Sequence, residues 1–315
     1  IFNVVTLLIN YWYCKKRLKI QVRFGHFQWV FFKEVSVYSF WIFLNAIMDR
    51  IYWSTGQFVL GMFKGAAVVA VYAVAIQLQG IYMGFSTAIS GVFLPKVTAM
   101  VTKENDEKAI SDLFIRTGRI QYIIMVFILT GFIVFGKSFI CLWAGEDYMD
   151  AYWIALCFFI PLIVPYIQNL GITILQARNQ MKFRSILYVI IAVVSLCISI
   201  PFAKQYGGIG CAVGTAFAGQ IIAMNVYYHR VIHIDIPQFW KEIGKMSIIP
   251  LIIGLLFYSL FNVYEISTVW MLIIGILVFS LVYIPMFCFF GMNSYEKGLF
   301  FSPVQRIVNR FLKNL

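Results

Sequence analysis

The stretch from Val35 to Met62, VSVYSFWIFLNAIMDRIYWSTGQFVLGM, decides the fold class. It is apolar throughout except for a few small polar residues and the adjacent charges Asp49 and Arg50. A helix rises about 1.5 Å per residue, so about 20 residues cross the hydrocarbon core of a bilayer. This run is long enough, and it holds two full charges near its middle. A charge at that depth is expensive and faces either a protein interior or a water-filled cavity.

The whole chain follows the same pattern. It is 62% hydrophobic and 12% charged, with a mean hydropathy of +0.85, whereas a soluble domain carries about 25% charged residues. The composition predicts an all-α integral membrane protein. Apolar runs fall at roughly 1–13, 35–61, 67–94, 120–143, 151–175, 186–203, 208–228, 247–263 and 267–290, which predicts about nine transmembrane helices. The last two runs before 230 are separated only by Lys204-Gln205-Tyr206-Gly207-Gly208, a tight turn. The chain opens at Ile1 inside an apolar run, with no Met and no charged leader, and reads as the later part of a longer protein.

Charge alternates between successive connections. Of the 25 Lys and Arg, all but Arg50, Lys64, Lys137 and Lys204 fall in the first, third, fifth and seventh connections and in the tail. The intervening turns are short, and one of them, Gly145-Glu146-Asp147-Tyr148-Met149-Asp150, is acidic. The positive-inside rule places the basic connections and the C-terminus in the cytoplasm. The net charge of +12 then follows from topology and attraction to anionic headgroups, and implies no nucleic-acid partner. Trp29, Phe31, Phe32, Phe239 and Trp240 beside basic residues predict short amphipathic helices on the inner leaflet.

Reactive constellations are missing. There is no HExxH, no glycine-rich phosphate loop, no DxD metal motif and no pair of intramembrane carboxylates. His26, His229 and His233 fall in connections and read as surface residues. The six cysteines are scattered, without CxxC spacing, and read as small buried packing residues. No connection is long enough to fold as a soluble domain. These features predict a protein without an enzymatic site and without a cofactor.

On a helical wheel Asn45, Asp49 and Gly56 cluster, Trp53, Gln57, Arg50 and Ser54 continue around the same half, and the opposite half is apolar. Asp49 and Arg50 are about 100° apart and do not face each other squarely. Two readings fit: a pair of interhelical packing contacts, or a cavity in which Arg50 attracts an anion and Asp49 carries a coupling cation. Arg suits phosphate because its planar fork donates two hydrogen bonds and keeps its charge. Tyr72, Gln79, Tyr82, Ser86 and Ser90 form a polar stripe on the next helix, either interhelical glue or part of a path. Gln168 and Asn169, beside Pro161 and Pro165, mark a predicted kink. The candidate cavity set is Asn45, Asp49, Arg50, Gln57, Tyr72 and Gln79.

The run Asp49-Arg50, Gly61, Ala70-Val71-Tyr72-Ala73-Val74-Ala75 and Phe93-Leu94-Pro95-Lys96-Val97 resembles the middle of a polysaccharide flippase. These proteins belong to the multidrug/oligosaccharidyl-lipid/polysaccharide exporter superfamily, alongside MATE transporters. The acidic turn at 145–148 and Ala177-Arg178-Asn179-Gln180 also resemble it, and the likeness is diffuse after 185. The resemblance implies a MATE-like second six-helix bundle at 35–228. Residues 1–34 would end a preceding helix and form a basic connection, and 229–315 would hold two extra helices and a basic tail. It also implies an undecaprenyl-pyrophosphate-linked oligosaccharide as substrate, for O-antigen or another surface polysaccharide. Movement would be by alternating access in the bacterial inner membrane, with H+ or Na+ as coupling ion. A MATE-type drug antiporter shares the fold but would favour acidic cavity residues. A polytopic polymerase or ligase would need reactive groups and a sizeable outer loop.

Overall fold

Proline and glycine punctuate a chain that is otherwise helical. A computed structural model describes residues 2–17, 28–103, 106–215, 219–263 and 266–300. Among them lie ten α-helices and no strand: α1 (Phe2–Lys16), α2 (Trp29–Phe63), α3 (Ala66–Lys103), α4 (Glu107–Ala144), α5 (Asp150–Ile167), α6 (Leu170–Ala177), α7 (Met181–Thr215), α8 (Gly219–Arg230), α9 (Ile236–Val263) and α10 (Val269–Phe290). A 3-10 turn at Glu146–Tyr148 joins α4 to α5, and a further helical segment runs over 294–300. Lys19, Arg23, His26, Glu265 and the basic tail from 301 onward lie outside the described residues. Two units divide the chain, Ile1–Phe43 and Leu44–Leu315. The first holds α1 and the start of α2, with Trp29 edge-on to Phe32 at 6.1 Å and Phe40 edge-on to Trp41 at 5.3 Å. Everything below concerns the second.

Seven of the described helices, rather than about nine, are long and apolar enough to cross a membrane. The expected runs 1–13 and 208–228 are not among these seven. Over 1–13 the described helix, α1, has 15 residues. The run 151–175 keeps a span, Glu146–Ile167, yet it is broken: Pro161 and Pro165 lack the N–H that would bond the carbonyl four residues back, and α5 stops at Ile167. The run 208–228 begins inside α7, which is a hairpin. Gly207 sits at φ 61, ψ −134, a left-handed conformation that favours glycine. Beyond it the chain doubles back, so that Ser195 Oγ donates to Gly214 O at 3.2 Å and Ser199 Oγ to Cys211 O at 3.4 Å. The predicted turn at 204–208 is therefore present; residues 216–218, between α7 and α8, lie outside the described residues.

The polar stripe of α3 packs inward. Tyr72, Gln79, Tyr82, Ser86 and Ser90 are all buried. Tyr82 Oη donates to Met125 O at 3.1 Å, Ser86 Oγ to Tyr166 O at 2.6 Å, and Gln121 Nε2 to Ser90 Oγ at 2.7 Å. In lipid, where apolar surfaces gain nothing from leaving water, such bonds and close packing hold helices together. Ser86 also satisfies a carbonyl at the broken end of α5. On the other side of α4 the packing is aromatic. Phe279, Tyr283 and Phe287 recur every fourth residue on α10; Phe127 meets Phe279 at 5.7 Å and Tyr283 at 5.1 Å, and Phe135 meets Phe261 of α9 at 5.0 Å. Gly118 permits a close approach: a Cβ there would lie 2.4 Å from Phe239 of α9 and 2.9 Å from Ile167 O of α5.

At the very next residue, Arg119 ties three segments together. Its Nε and Nη2 donate to Glu296 at 2.6 and 3.0 Å, and its Nη1 donates to Glu242 of α9 at 2.6 Å. Glu296 also accepts from Asn293 N at 2.9 Å while Asn293 Oδ1 accepts from Glu296 N at 2.9 Å. That reciprocal pair is a capping box at the start of the 294–300 helix. The Glu296 side chain is 1% exposed and that of Glu242 is 22% exposed, so the two carboxylates are not equivalent. Replacing Glu296 by Ala is expected to cost about 3 kcal/mol, because it strands a buried guanidinium. Replacing Glu242 by Ala is expected to cost about 1 kcal/mol, because its partial exposure leaves water to compensate. Chemical denaturation of the purified protein measures both, and equal losses would contradict the asymmetry.

Candidate functional site

Arg184, the fourth residue of α7, is buried to 7% exposure. Its Nη1 donates to Asn45 Oδ1 of α2 at 2.8 Å and its Nη2 to Tyr188 Oη at 2.9 Å. The guanidinium lies 4.3 Å from the Tyr188 ring centroid, a cation–π contact between residues one turn apart. Asn45 Nδ2 in turn donates to Ser185 Oγ, and Ser185 Oγ to Met181 O. The local reason is helical spacing: Met181, Arg184, Ser185 and Tyr188 share one face of α7, as Asn45, Asp49 and Tyr52 share one face of α2.

Asp49, half-buried, interacts electrostatically with Arg184. Among the described residues, though, no carboxylate comes within 4 Å of the Arg184 guanidinium; the ion pairs formed are Arg119 with Glu242 and Glu296, and Lys245 with Glu242. Phenols surround the pair. Tyr52 Oη donates to Thr215 O at the end of α7, and Tyr166 accepts from Gln79 Nε2. A narrow cleft of about 30 Å³, room for about one water, is lined by Arg184, Tyr188, Gln168 and Tyr228. Gln168 stands at the break between α5 and α6 and donates to Asn225 of α8 at 2.9 Å. The proline-induced break thus delivers a polar residue to the cleft.

The six residues singled out from sequence are distributed unevenly. Asn45 and Asp49 join Arg184. Tyr72 and Gln79 are packed between helices, Tyr72 against Gly56 and Cys211 and Gln79 on Tyr166. Gln57 is half-buried and Arg50 is exposed on α2, so the cation that Asp49 senses is Arg184 and not its neighbour. Arg119, Arg184 and Glu296, read as belonging to connections, are by contrast buried within the protein. Their helices run well beyond the apolar segments, α4 beginning at Glu107 and α7 at Met181. The sequence signal that was available is the pairing of Arg184 with Tyr188 one turn on.

The Ala177-Arg178-Asn179-Gln180 run has a purely structural explanation. Asn179 adopts φ 55 just after α6, its N–H bonding Gln176 O at 3.2 Å while Gln180 N bonds Leu175 O at 2.8 Å. That is a Schellman motif, in which Asn is the usual substitute for glycine. Away from Arg184, an apolar groove of about 560 Å³ lies between α4, α5 and α9, lined by residues such as Val126, Ile160, Ile243 and Leu251.

Residues 1–153 match the family model described as polysaccharide biosynthesis protein. The matched region contains Asn45, Asp49, Arg50 and the 70–97 run on which the flippase resemblance rests, and it ends at the start of α5. Arg184 and Tyr188 lie beyond it. Searches of curated proteins and of solved structures gave no match. The polysaccharide-biosynthesis match over 1–153 and the multi-span helical architecture together fit a membrane protein of polysaccharide synthesis.

Asn45 holds both Arg184 and Ser185, so Asn45→Ala leaves a buried guanidinium donor unpaired. The expected loss is about 1–3 kcal/mol, read as a lowered denaturation midpoint, with Asn45→Asp milder because it still accepts from Arg184.

Proposed function

We propose that the protein is a flippase that carries a lipid-linked oligosaccharide, built on a polyprenyl pyrophosphate, across the bacterial inner membrane without covalent chemistry. Alternating access of the helix bundle would move the headgroup, with the basic connections and the C-terminus on the cytoplasmic side. The observation that carries the reading is Arg184: a buried guanidinium, aimed into a cleft, that has hydrogen-bond acceptors but no carboxylate in contact. Such a group attracts an anion strongly in a medium of low dielectric, and its fork suits pyrophosphate oxygens. A cation of this kind disfavours organic-cation cargo, the MATE-type alternative.

In this reading Asp49 competes with the substrate for Arg184. When the pyrophosphate engages Arg184, Asp49 loses its partner and becomes the place where a proton or Na+ is taken up. The apolar groove between α4, α5 and α9 suits a prenyl chain that stays in the hydrocarbon while the headgroup moves.

The test is complementation of a flippase-deficient strain by the complete gene, with surface polysaccharide quantified against protein level in the membrane. Arg184→Ala is expected to reduce export by about tenfold to a hundredfold, the worth of one charge-assisted hydrogen bond. Arg184→Lys, which keeps the charge and loses the fork, is expected to fall between. Normal export by both Arg184→Ala and Asp49→Asn at undiminished protein level would refute the reading.

A further inference from the structure

At the end of the bundle opposite the basic connections, a cleft of about 360 Å³ opens between three elements. The turn from α2 to α3 contributes Lys64, the start of α5 contributes Asp150, and the α7 kink contributes Gln205 and Tyr206. Val68, Val71 and Ile154 form its floor. We infer that this cleft binds a saccharide.

The argument begins with what the polar groups lack. Lys64, Asp150 and Gln205 are exposed, and among the described residues none of their side chains makes a hydrogen bond or an ion pair with protein. Lys204, the neighbouring cation, is engaged elsewhere, its Nζ lying 4.6 Å from the centroid of the Phe63 ring. The cleft therefore presents an ammonium donor, a carboxylate acceptor, an amide that does both and a phenol that does both. A simple anion would gain from Lys64 and be opposed by Asp150; a simple cation would meet the reverse. An acyl chain would strand every one of these groups. A neutral polyhydroxyl ligand uses donors and acceptors of both kinds at once.

Shape agrees with chemistry. The volume is at the small end of ligand pockets and suits a mono- or disaccharide. Tyr206 is 66% exposed, offering the flat face of an aromatic ring beside the hydrogen-bonding groups. The wall is preorganised: Gly207 takes a backbone conformation open to glycine, and a Cβ on Gly208 would come within 2.7 Å of Ile154, so the kink is seated directly on α5. A tyrosine at a membrane edge also serves as a lipid anchor, and the experiment separates the two roles.

The inference deepens the transport reading, and rests on it for the origin of the sugar: the same lipid-linked substrate would meet this cleft on leaving the bundle. Binding of free sugars is nevertheless measurable without transport, so its failure leaves the Arg184 experiment untouched. The experiment is saturation-transfer NMR on the purified full chain in nanodiscs, with galactose, N-acetylglucosamine and glucuronic acid as probes and glycerophosphoethanolamine as the headgroup comparator. Signal transfer to at least one sugar is expected, falling about tenfold in Tyr206→Ala and in Asp150→Asn, as for loss of one stacking or charged hydrogen-bond contact. Gln205→Ala serves as a third variant, and circular dichroism confirms that each is folded. Absence of transfer to all three sugars overturns the proposal, as does transfer that none of the variants alters. Tyr206-dependent transfer to glycerophosphoethanolamine without transfer to sugars overturns it in favour of a lipid headgroup site.

Discussion

A guanidinium cannot be buried between apolar helices unless acceptors are buried with it, and this constraint arranges much of the bundle. Lipid offers no water to replace a missing partner, so each arginine fixes the elements that supply its acceptors. Arg119 requires α9 and the 294–300 helix to converge on α4, because Glu242 and Glu296 arrive from sequence positions far away. Arg184 requires the beginning of α7 to lie against α2, because Asn45 is 139 residues distant along the chain. The aromatic packing between α4, α9 and α10 then fills space whose registry those contacts define. Apolar faces alone, being as comfortable in lipid as against each other, specify registry poorly.

The sequence made the class legible because composition and run length are direct physical readings of the solvent. It also made several local features legible. The hairpin at Lys204–Gly208 announced itself by paired glycines, and the α5 break by two prolines in one span. What it concealed were the arginines that matter. Arg119 and Arg184 stand at the edges of apolar runs, where a loop residue and a buried residue look the same, and their partners are more than a hundred residues away. Periodicity does expose one face of a helix, and it correctly grouped Asn45 with Asp49 and the five stripe residues of α3. It does not say what that face meets. For Tyr72 and Gln79 the answer is other helices; for Asn45 it is Arg184.

Breaks in the helices are placed where they serve the cleft. Pro161 and Pro165 weaken α5 by removing two backbone donors, yet the helix ends only at Ile167, where Ser86 Oγ accepts the role of donor to Tyr166 O. That side-chain bond allows a polar interruption to sit at membrane depth without an orphaned carbonyl. The consequence is positional: Tyr166, Gln168 and, through Asn225, α8 are all held around the same small volume as Arg184 and Tyr188. Asn225 also accepts from Trp240 Nε1 at 3.0 Å, which links this volume to the start of α9.

The two buried arginines differ in a way that separates structure from function. Arg119 is neutralised by two carboxylates, one of them bidentate, and a buried pair so complete gains little from any further ligand. Arg184 is solvated by an amide oxygen, a hydroxyl and a ring face, none of which carries a formal negative charge, while Asp49 stands off beyond contact distance. A protein that needed only to stabilise α2 against α7 would do better with apolar side chains or with a closed ion pair. Keeping the countercharge near but not touching leaves a large part of the Coulomb energy unspent, and a diffusing anion reaching the cleft can claim it. In the proposed cycle that same separation makes the exchange reversible, because Asp49 remains close enough to reclaim the guanidinium once the anion has left.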